Sequence, residues 1–219
     1  MSDVYPCGPE RFFIDGPAGR LEALGGCPEP ERAAAASAVV CHPHPLHGGT
    51  MQNKVVHILA RTLNELGLHT LRFNFRGVGQ SEGEFADAVG ETDDVLAALE
   101  WLRSRRPDDA LWLAGFSFGA FVAIRAALRF PVARLVTVAP AITLYPELAT
   151  LDAPAAPWLI VQGDRDEIVP VSAVEAWIER LAPRPDYLKL PDTGHFFHQR
   201  LTDLHDRLAD RLAPHVPRR

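Results

Sequence analysis

The chain has 219 residues, 47% of them hydrophobic, and a formal net charge of −6. That length fits one domain spanning residues 1–219, and the apolar content is enough for a sizeable core, which excludes a disordered chain. Lys54 and Lys189 are the only lysines, and the arginines are scattered apart from Arg103, Arg105, Arg106 and the Arg218-Arg219 tail; no basic stripe exists to follow a phosphate backbone, so a nucleic-acid partner is not expected.

Met1 to Arg11 is polar and charged and lacks the apolar centre of a signal peptide. Arg11–Ile14 and Arg20–Leu24 read as two short strands around the turn Gly16-Pro17-Ala18-Gly19. Cys7, Cys27 and Cys41 form an odd, unclustered set without C-x-x-C, which argues against a disulfide framework and suits a reducing compartment. The longest near-apolar run, Ala33–Cys41, is too short to span a bilayer. These features predict a soluble, cytoplasmic protein with no membrane partner. Ser37–Cys41 reads as a buried strand, and the prolines and glycines of His42-Pro43-His44-Pro45-Leu46-His47-Gly48-Gly49 then forbid regular structure.

Thr50 is a candidate cap for a helix reaching Leu66, with Gly67 as its C′ residue. His69–Phe75 alternates as a strand and Gly77–Gly83 is loop. Glu91–Arg103 reads as a helix with Asp93 and Asp94 placed to suit its macrodipole. A strand over Ala110–Ala114, a helix over Ala120–Phe130 and a strand over Arg134–Ala139 follow. Next come a strand at Trp158–Gln162, a helix capped by Ser172 and ending at Leu181, a strand at Tyr187–Leu190 and a final helix over Phe196–Leu212. After the opening hairpin, strands alternate with helices. Such alternation predicts an α/β fold, a mostly parallel sheet with helices on both faces and a site at the carboxyl ends of the strands.

The strongest chemical signal is Gly115-Phe116-Ser117-Phe118-Gly119 between an apolar strand and a helix. A nucleophile elbow needs that context, because the turn is so tight that the positions two before and two after the serine must be nearly bare. Ser117 would project its hydroxyl above the sheet, and the N–H of Phe118 would become one oxyanion donor. A serine nucleophile needs a base and an orienting acid, in this fold in the order Ser, acid, His. Three acids compete in the loop Gly163–Pro170: Asp164, Asp166 and Glu167. The candidate base is His195, beside Gly194 just after the last strand; His198 is the weaker choice because it begins a helix.

The histidine-rich segment has two readings. His42, His44 and His47 offer three imidazoles, yet the prolines restrict the backbone and no carboxylate stands at ligand spacing, so no metal is expected. As the loop that supplies the second oxyanion donor, the segment has no N–H at Pro43 or Pro45. That leaves the His44 N–H as the leading donor and Leu46 as the next.

Taken together, these pieces resemble the α/β-hydrolase superfamily, and most closely its small bacterial serine hydrolases with a minimal core. The matching residues are His42-Pro43-His44-Pro45 with Gly48-Gly49-Thr50-Met51, Arg72 to Gly83, the elbow at Ser117, Gly163-Asp164-Arg165-Asp166 with Pro170, and Gly194-His195-Phe196-Phe197. The family's Gly-x-x-Asp with a later Pro falls on Asp166, which the resemblance therefore implies is the acid. Where the family has Asp in D-x-R-G, this chain has Asn74; Arg72–Gly83 reads as structural, so the departure puts little in doubt. The resemblance implies the α/β-hydrolase fold and a serine hydrolase acting on a small acyl substrate by a Ser117-His195-Asp166 triad and an acyl-enzyme, with no cofactor. It leaves ester, thioester and amide substrates open, as well as acyl transfer. A non-catalytic binding protein on the same fold is the alternative, and the presence of every triad member disfavours it. Larger members insert a cap before the strand that carries the acid. Here only 18 residues, Pro140 to Pro157, are available, and Pro140, Pro146, Pro154 and Pro157 punctuate them, so no lid is expected.

Overall fold

Strands β1 (Arg11–Gly16) and β2 (Gly19–Gly26) pair antiparallel around the predicted turn, with Phe13 opposite Glu22. The computed structural model describes residues 5–217 apart from 146, 148 and 149; Pro146, Met1 and the Arg218-Arg219 pair lie outside the described residues. The hairpin joins β4 (His69–Phe73) through β2, again antiparallel. The remaining strands run parallel: β3 (Ala36–Cys41), β5 (Ala110–Phe116), β6 (Arg134–Val138), β7 (Trp158–Gly163) and β8 (Asp186–Leu190). They form one eight-stranded sheet in the order β1-β2-β4-β3-β5-β6-β7-β8.

The central strands are apolar almost throughout because both faces of the sheet are covered. On one face α1 (Lys54–Glu65) and α5 (Leu201–Leu212) pack with Val40, Trp112, Phe116 and Val161. On the other, α2 (Val89–Arg105), α3 (Phe118–Ala127) and α4 (Val171–Ile178) pack with Val39, Leu71, Leu113 and Ile160. Between β6 and β7 the described residues form no α-helix or strand that could cover the carboxyl ends of the strands as a lid would.

Several element ends differ from expectation for local reasons. Asn53, not Thr50, caps α1: its Oδ1 accepts from Val55 N at 2.9 Å and Val56 N at 3.4 Å. The Met51 N–H is held by Asn74 Oδ1 at 2.8 Å, which pins Thr50 to Asn53 as a turn ahead of the helix. Gly67 does take the left-handed C′ position, with φ +102°. Helix α4 starts without a side-chain cap; Pro170 occupies the cap position and Ser172 is already inside the helix. Asp94 does not serve the macrodipole of α2 but grips Arg76 through both carboxylate oxygens. Helix α5 begins at Leu201 because Phe197 (φ +54°) and Gln199 (φ +60°) break helical geometry. Phe197 is nevertheless buried against the same cluster as Leu204, Leu208 and Leu212, so its spacing reads as helical.

The cysteines are the clearest correction. Cys7 and Cys27 form a disulfide with Cα atoms 5.5 Å apart, and Cys41 alone is free and buried. The odd count came from a core thiol, and the two that remain pair, so the cysteines give no ground for a reducing compartment. The bond ties the segment before β1 to the end of β2, and Tyr5, just ahead of it, donates to Thr70 O at 2.6 Å. Among the described residues no helix is long and apolar enough to cross a membrane.

Candidate active site

Ser117 sits between the carboxyl end of β5 and α3 with φ +54° and ψ −115°, a strained conformation for a residue with a side chain. The flanking glycines make the turn possible. A Cβ on Gly115 would lie 2.3 Å from Gly119 O, and one on Gly119 would lie 2.4 Å from His42 O. The first contact ties the two glycines to each other. The second ties the elbow to the loop after β3.

The Ser117 Oγ lies 3.0 Å from His195 Nε2, and His195 Nδ1 lies 2.8 Å from Asp166 Oδ2. All three residues are buried. Asp166 Oδ1 accepts from the N–H groups of Ile168 and Val169 at 2.9 and 2.7 Å, so the carboxylate is oriented by its own loop. The competing acids are committed elsewhere. Asp164 Oδ1 accepts from Thr193 N at 3.3 Å, and Glu167 Oε2 accepts from His195 N at 3.1 Å. These two contacts clasp the loop after β7 to the loop after β8, with Gly163 so close to Thr193 that a Cβ would meet its carbonyl at 2.1 Å.

Gln162 was not foreseen. It is fully buried at the end of β7, and its Nε2 donates to Asp166 Oδ2 at 2.8 Å and to Val169 O at 3.1 Å. The available signal was a lone polar residue closing the apolar run Trp158–Val161.

The histidine loop divides its labour. His42 is buried; its Nε2 accepts from Phe75 N at 3.0 Å while Nδ1 meets Pro43 O at 2.6 Å. Burial pushes its pKa down to about 4, so it stays a neutral structural bridge with both ring nitrogens engaged. His44 stacks on His47 with ring centroids 4.4 Å apart, and burial, then the His47 charge, lower its pKa. The three imidazoles therefore do not converge. The N–H groups from Leu46 to Gly49 are used within the loop: Leu46 N donates to His44 Nδ1 at 3.2 Å, His47 and Gly49 to His44 O, and Gly48 to Pro45 O. Asn74 proves structural, donating to Glu22 Oε2 at 2.7 Å as it holds Met51 N.

A cavity of about 140 Å³ opens at Ser117, walled by His44, Phe118, Tyr145, Ile168 and Phe196. Tyr145 stacks on Phe121 at 4.4 Å, and burial pushes its phenol up to about 12, so the hydroxyl stays neutral. The arrangement can activate a serine hydroxyl beside a small aromatic pocket.

The model of the family described as serine aminopeptidase, S33, matches residues 37–155. An uncharacterized protein of Rickettsia prowazekii is 35% identical over 211 residues, covering 92% of this chain and 88% of that one. Among solved structures, an alpha-beta serine hydrolase homologue from Coxiella burnetii is 45% identical with a TM-score of 0.92, covering 96% of this chain and all of that one. A serine hydrolase without lid from Xanthomonas campestris is 44% identical with a TM-score of 0.91, covering 98% of this chain and 99% of that one.

Proposed function

The chain belongs to the α/β-hydrolase superfamily, among its lidless serine hydrolases, and on that premise we propose that it cleaves small acyl esters through an acyl-enzyme on Ser117. The observation that carries this reading is the unbroken chain from Ser117 Oγ through both ring nitrogens of His195 to Asp166.

In the proposed reaction Ser117 Oγ attacks the carbonyl carbon and its proton passes to His195 Nε2. Asp166 keeps the other proton on Nδ1 and offsets the imidazolium charge. The tetrahedral oxyanion is met by the N–H of Phe118, at the start of α3, and by that of His44, which the loop's own hydrogen bonds leave over. Removing one such donor costs roughly 10²–10³ in rate in comparable sites. Collapse breaks the carbon–oxygen bond, and the leaving alcohol takes its proton from Nε2. Water then repeats the sequence on the acyl-enzyme, releasing the acid and restoring Ser117. Nothing in this cycle calls for a metal or organic cofactor. Thioesters and amides pass through the same intermediate, and an acceptor alcohol in place of water would give acyl transfer.

A fluorophosphonate probe together with p-nitrophenyl acetate tests the proposal. Wild type should be labelled and turn over, and Ser117→Ala should do neither while keeping its fold. Turnover that survives in Ser117→Ala would remove the nucleophile, and a labelled protein that hydrolyses none of an ester, thioester and amide panel would favour a binding role.

A further inference from the structure

A second cavity, of about 360 Å³, runs from the serine pocket across the start of α1 towards α5; Asn53 and Phe196 line both. Its other walls include Gln52, Lys54, His198 and Gln199, and no acidic side chain lines it. The chain carries a net charge of −6 and only two lysines, one of them here. Lys189 pairs with Glu175 at 2.8 Å, whereas Lys54 is exposed and has no ion pair among the described residues. Nor does Lys54 serve its own helix: a cation in the first turn works against the macrodipole. His198 also stands without an ion pair among the described residues, and its ring lies 5.8 Å from that of Phe196. The left-handed residues Phe197 and Gln199 flank His198. They break the chain out of helix there, and Phe196 and His198 on either side of the buried Phe197 stay exposed.

We propose that this groove is the leaving-group subsite and that it takes an alcohol or thiol carrying a phosphate or carboxylate. The inference rests on the serine-hydrolase reading of Ser117. The departing oxygen or sulfur must come within reach of His195 Nε2, because that nitrogen returns the proton. The leaving group therefore lies on the His195 side of the pocket, where Phe196 meets the His195 ring at 5.1 Å and leads into the groove. The acyl part is left the smaller aromatic pocket of His44, Phe118 and Tyr145. Lys54 meets the anion at the far end, with the Gln52 and Gln199 amides beside it.

The test compares 3-acetoxybenzoate with 3-acetoxybenzamide, which share the acetyl group and differ in leaving-group charge. At low salt, kcat/KM should favour the carboxylate about threefold to fivefold, as suits an exposed charge pair, and the preference should shrink as salt rises. Lys54→Glu should reverse the preference through KM, and Lys54→Arg should keep it. Equal kcat/KM for the two esters in wild type, or an equal loss on both in Lys54→Glu, would overturn the subsite. Failure to hydrolyse either ester would count instead against the serine-hydrolase reading. A soluble phosphate ester and a lipid headgroup carry the same anion. Comparing 1-acetyl- and 1-palmitoylglycerol 3-phosphate, each against its neutral acylglycerol, assigns the source, and no preference for either phosphate would again overturn the subsite.

Discussion

Gln162 donates its side-chain amide to the same Asp166 oxygen that holds His195, each at 2.8 Å. With the two N–H groups on the other oxygen, the carboxylate accepts four hydrogen bonds and has no freedom to turn. Asp166→Asn places an amide where Nδ1–H needs an acceptor, and kcat should fall by roughly 10⁴. Asp164→Asn keeps an oxygen that can accept from Thr193 N, which Asp164 now does at 3.3 Å, and should cost less than about tenfold. Gln162→Ala should lie between, lowering kcat with KM nearly unchanged, because Gln162 acts through Asp166 and lies behind it. Steady-state kinetics of the three variants decide this, and a larger loss in Asp164→Asn than in Asp166→Asn would reassign the acid.

The contrast between Ser117 and Gln162 shows what the sequence can and cannot disclose. The elbow is legible because Gly115 and Gly119 must touch, and that contact writes a fixed spacing into the chain. Ser117 and His195 are legible because each follows the end of a strand, whereas three acids share the loop after β7 and only the family resemblance singles out Asp166. Gln162 is a single polar residue whose partners, Asp166 and Val169, are known only once the loop after β7 is seen folded back onto the strand. The caps fail for a similar reason: Asn53 outcompetes Thr50 through Asn74, 23 residues away from the Met51 it holds. The start of α5 was misplaced because burial of Phe197 mimics a helical face while its φ forbids the helix. The groove beside Lys54 joins residues from loops far apart in the chain, and no local pattern announces it.

His42 makes stability depend on pH. Its pKa falls from the usual 6.5 to about 4, chiefly through burial; the hydrogen bond to Pro43 O pulls the other way, and the His44 charge adds to the fall. Between those values the unfolded chain binds a proton that the folded chain refuses, so stability drops as pH falls from about 6.5 towards 4 and levels off below. At pH 5 the loss from this one residue is about 2 kcal/mol. Protonation would also turn Nε2 into a donor facing Phe75 N–H. Urea unfolding at pH 7 and pH 5 should show the drop. In His42→Asn, which is less stable throughout, the difference between the two pH values should shrink by about that amount, and an unchanged difference would clear His42 of the role.

The Cys7–Cys27 bond closes a loop of 20 residues, which stabilises a fold by about 3 kcal/mol through the unfolded chain. It lies at the end of β2, which pairs antiparallel with the start of β4, on the edge of the sheet opposite the carboxyl ends that carry Ser117. Dithiothreitol or Cys7→Ser should therefore lower Tm by several degrees and leave kcat/KM at 25 °C within about twofold. Loss of turnover while circular dichroism stays native would show that the bond reaches the site.

The cavity beside Ser117 sets the acyl length. It holds about 140 Å³, small beside the roughly 300–1,000 Å³ of pockets that enclose drug-sized ligands. Its far wall is closed by the rings of Phe118 and Tyr145, and Tyr145 is itself backed by Phe121, so it cannot swing away without breaking a stacked pair. Among the described residues between β6 and β7 no element extends the pocket upward or folds over a long chain. Methylenes beyond the pocket would lie in water and gain none of the roughly 0.8 kcal/mol each that burial provides. In a series of p-nitrophenyl esters, kcat/KM should peak at acetate to butyrate and fall by octanoate, with no jump in rate at the micelle threshold, since there is no lid for an interface to open. Tyr145→Ala should move the optimum towards longer chains by opening the far wall. An optimum at long chains in wild type, with activation above the threshold, would show that acyl length is set elsewhere in the molecule.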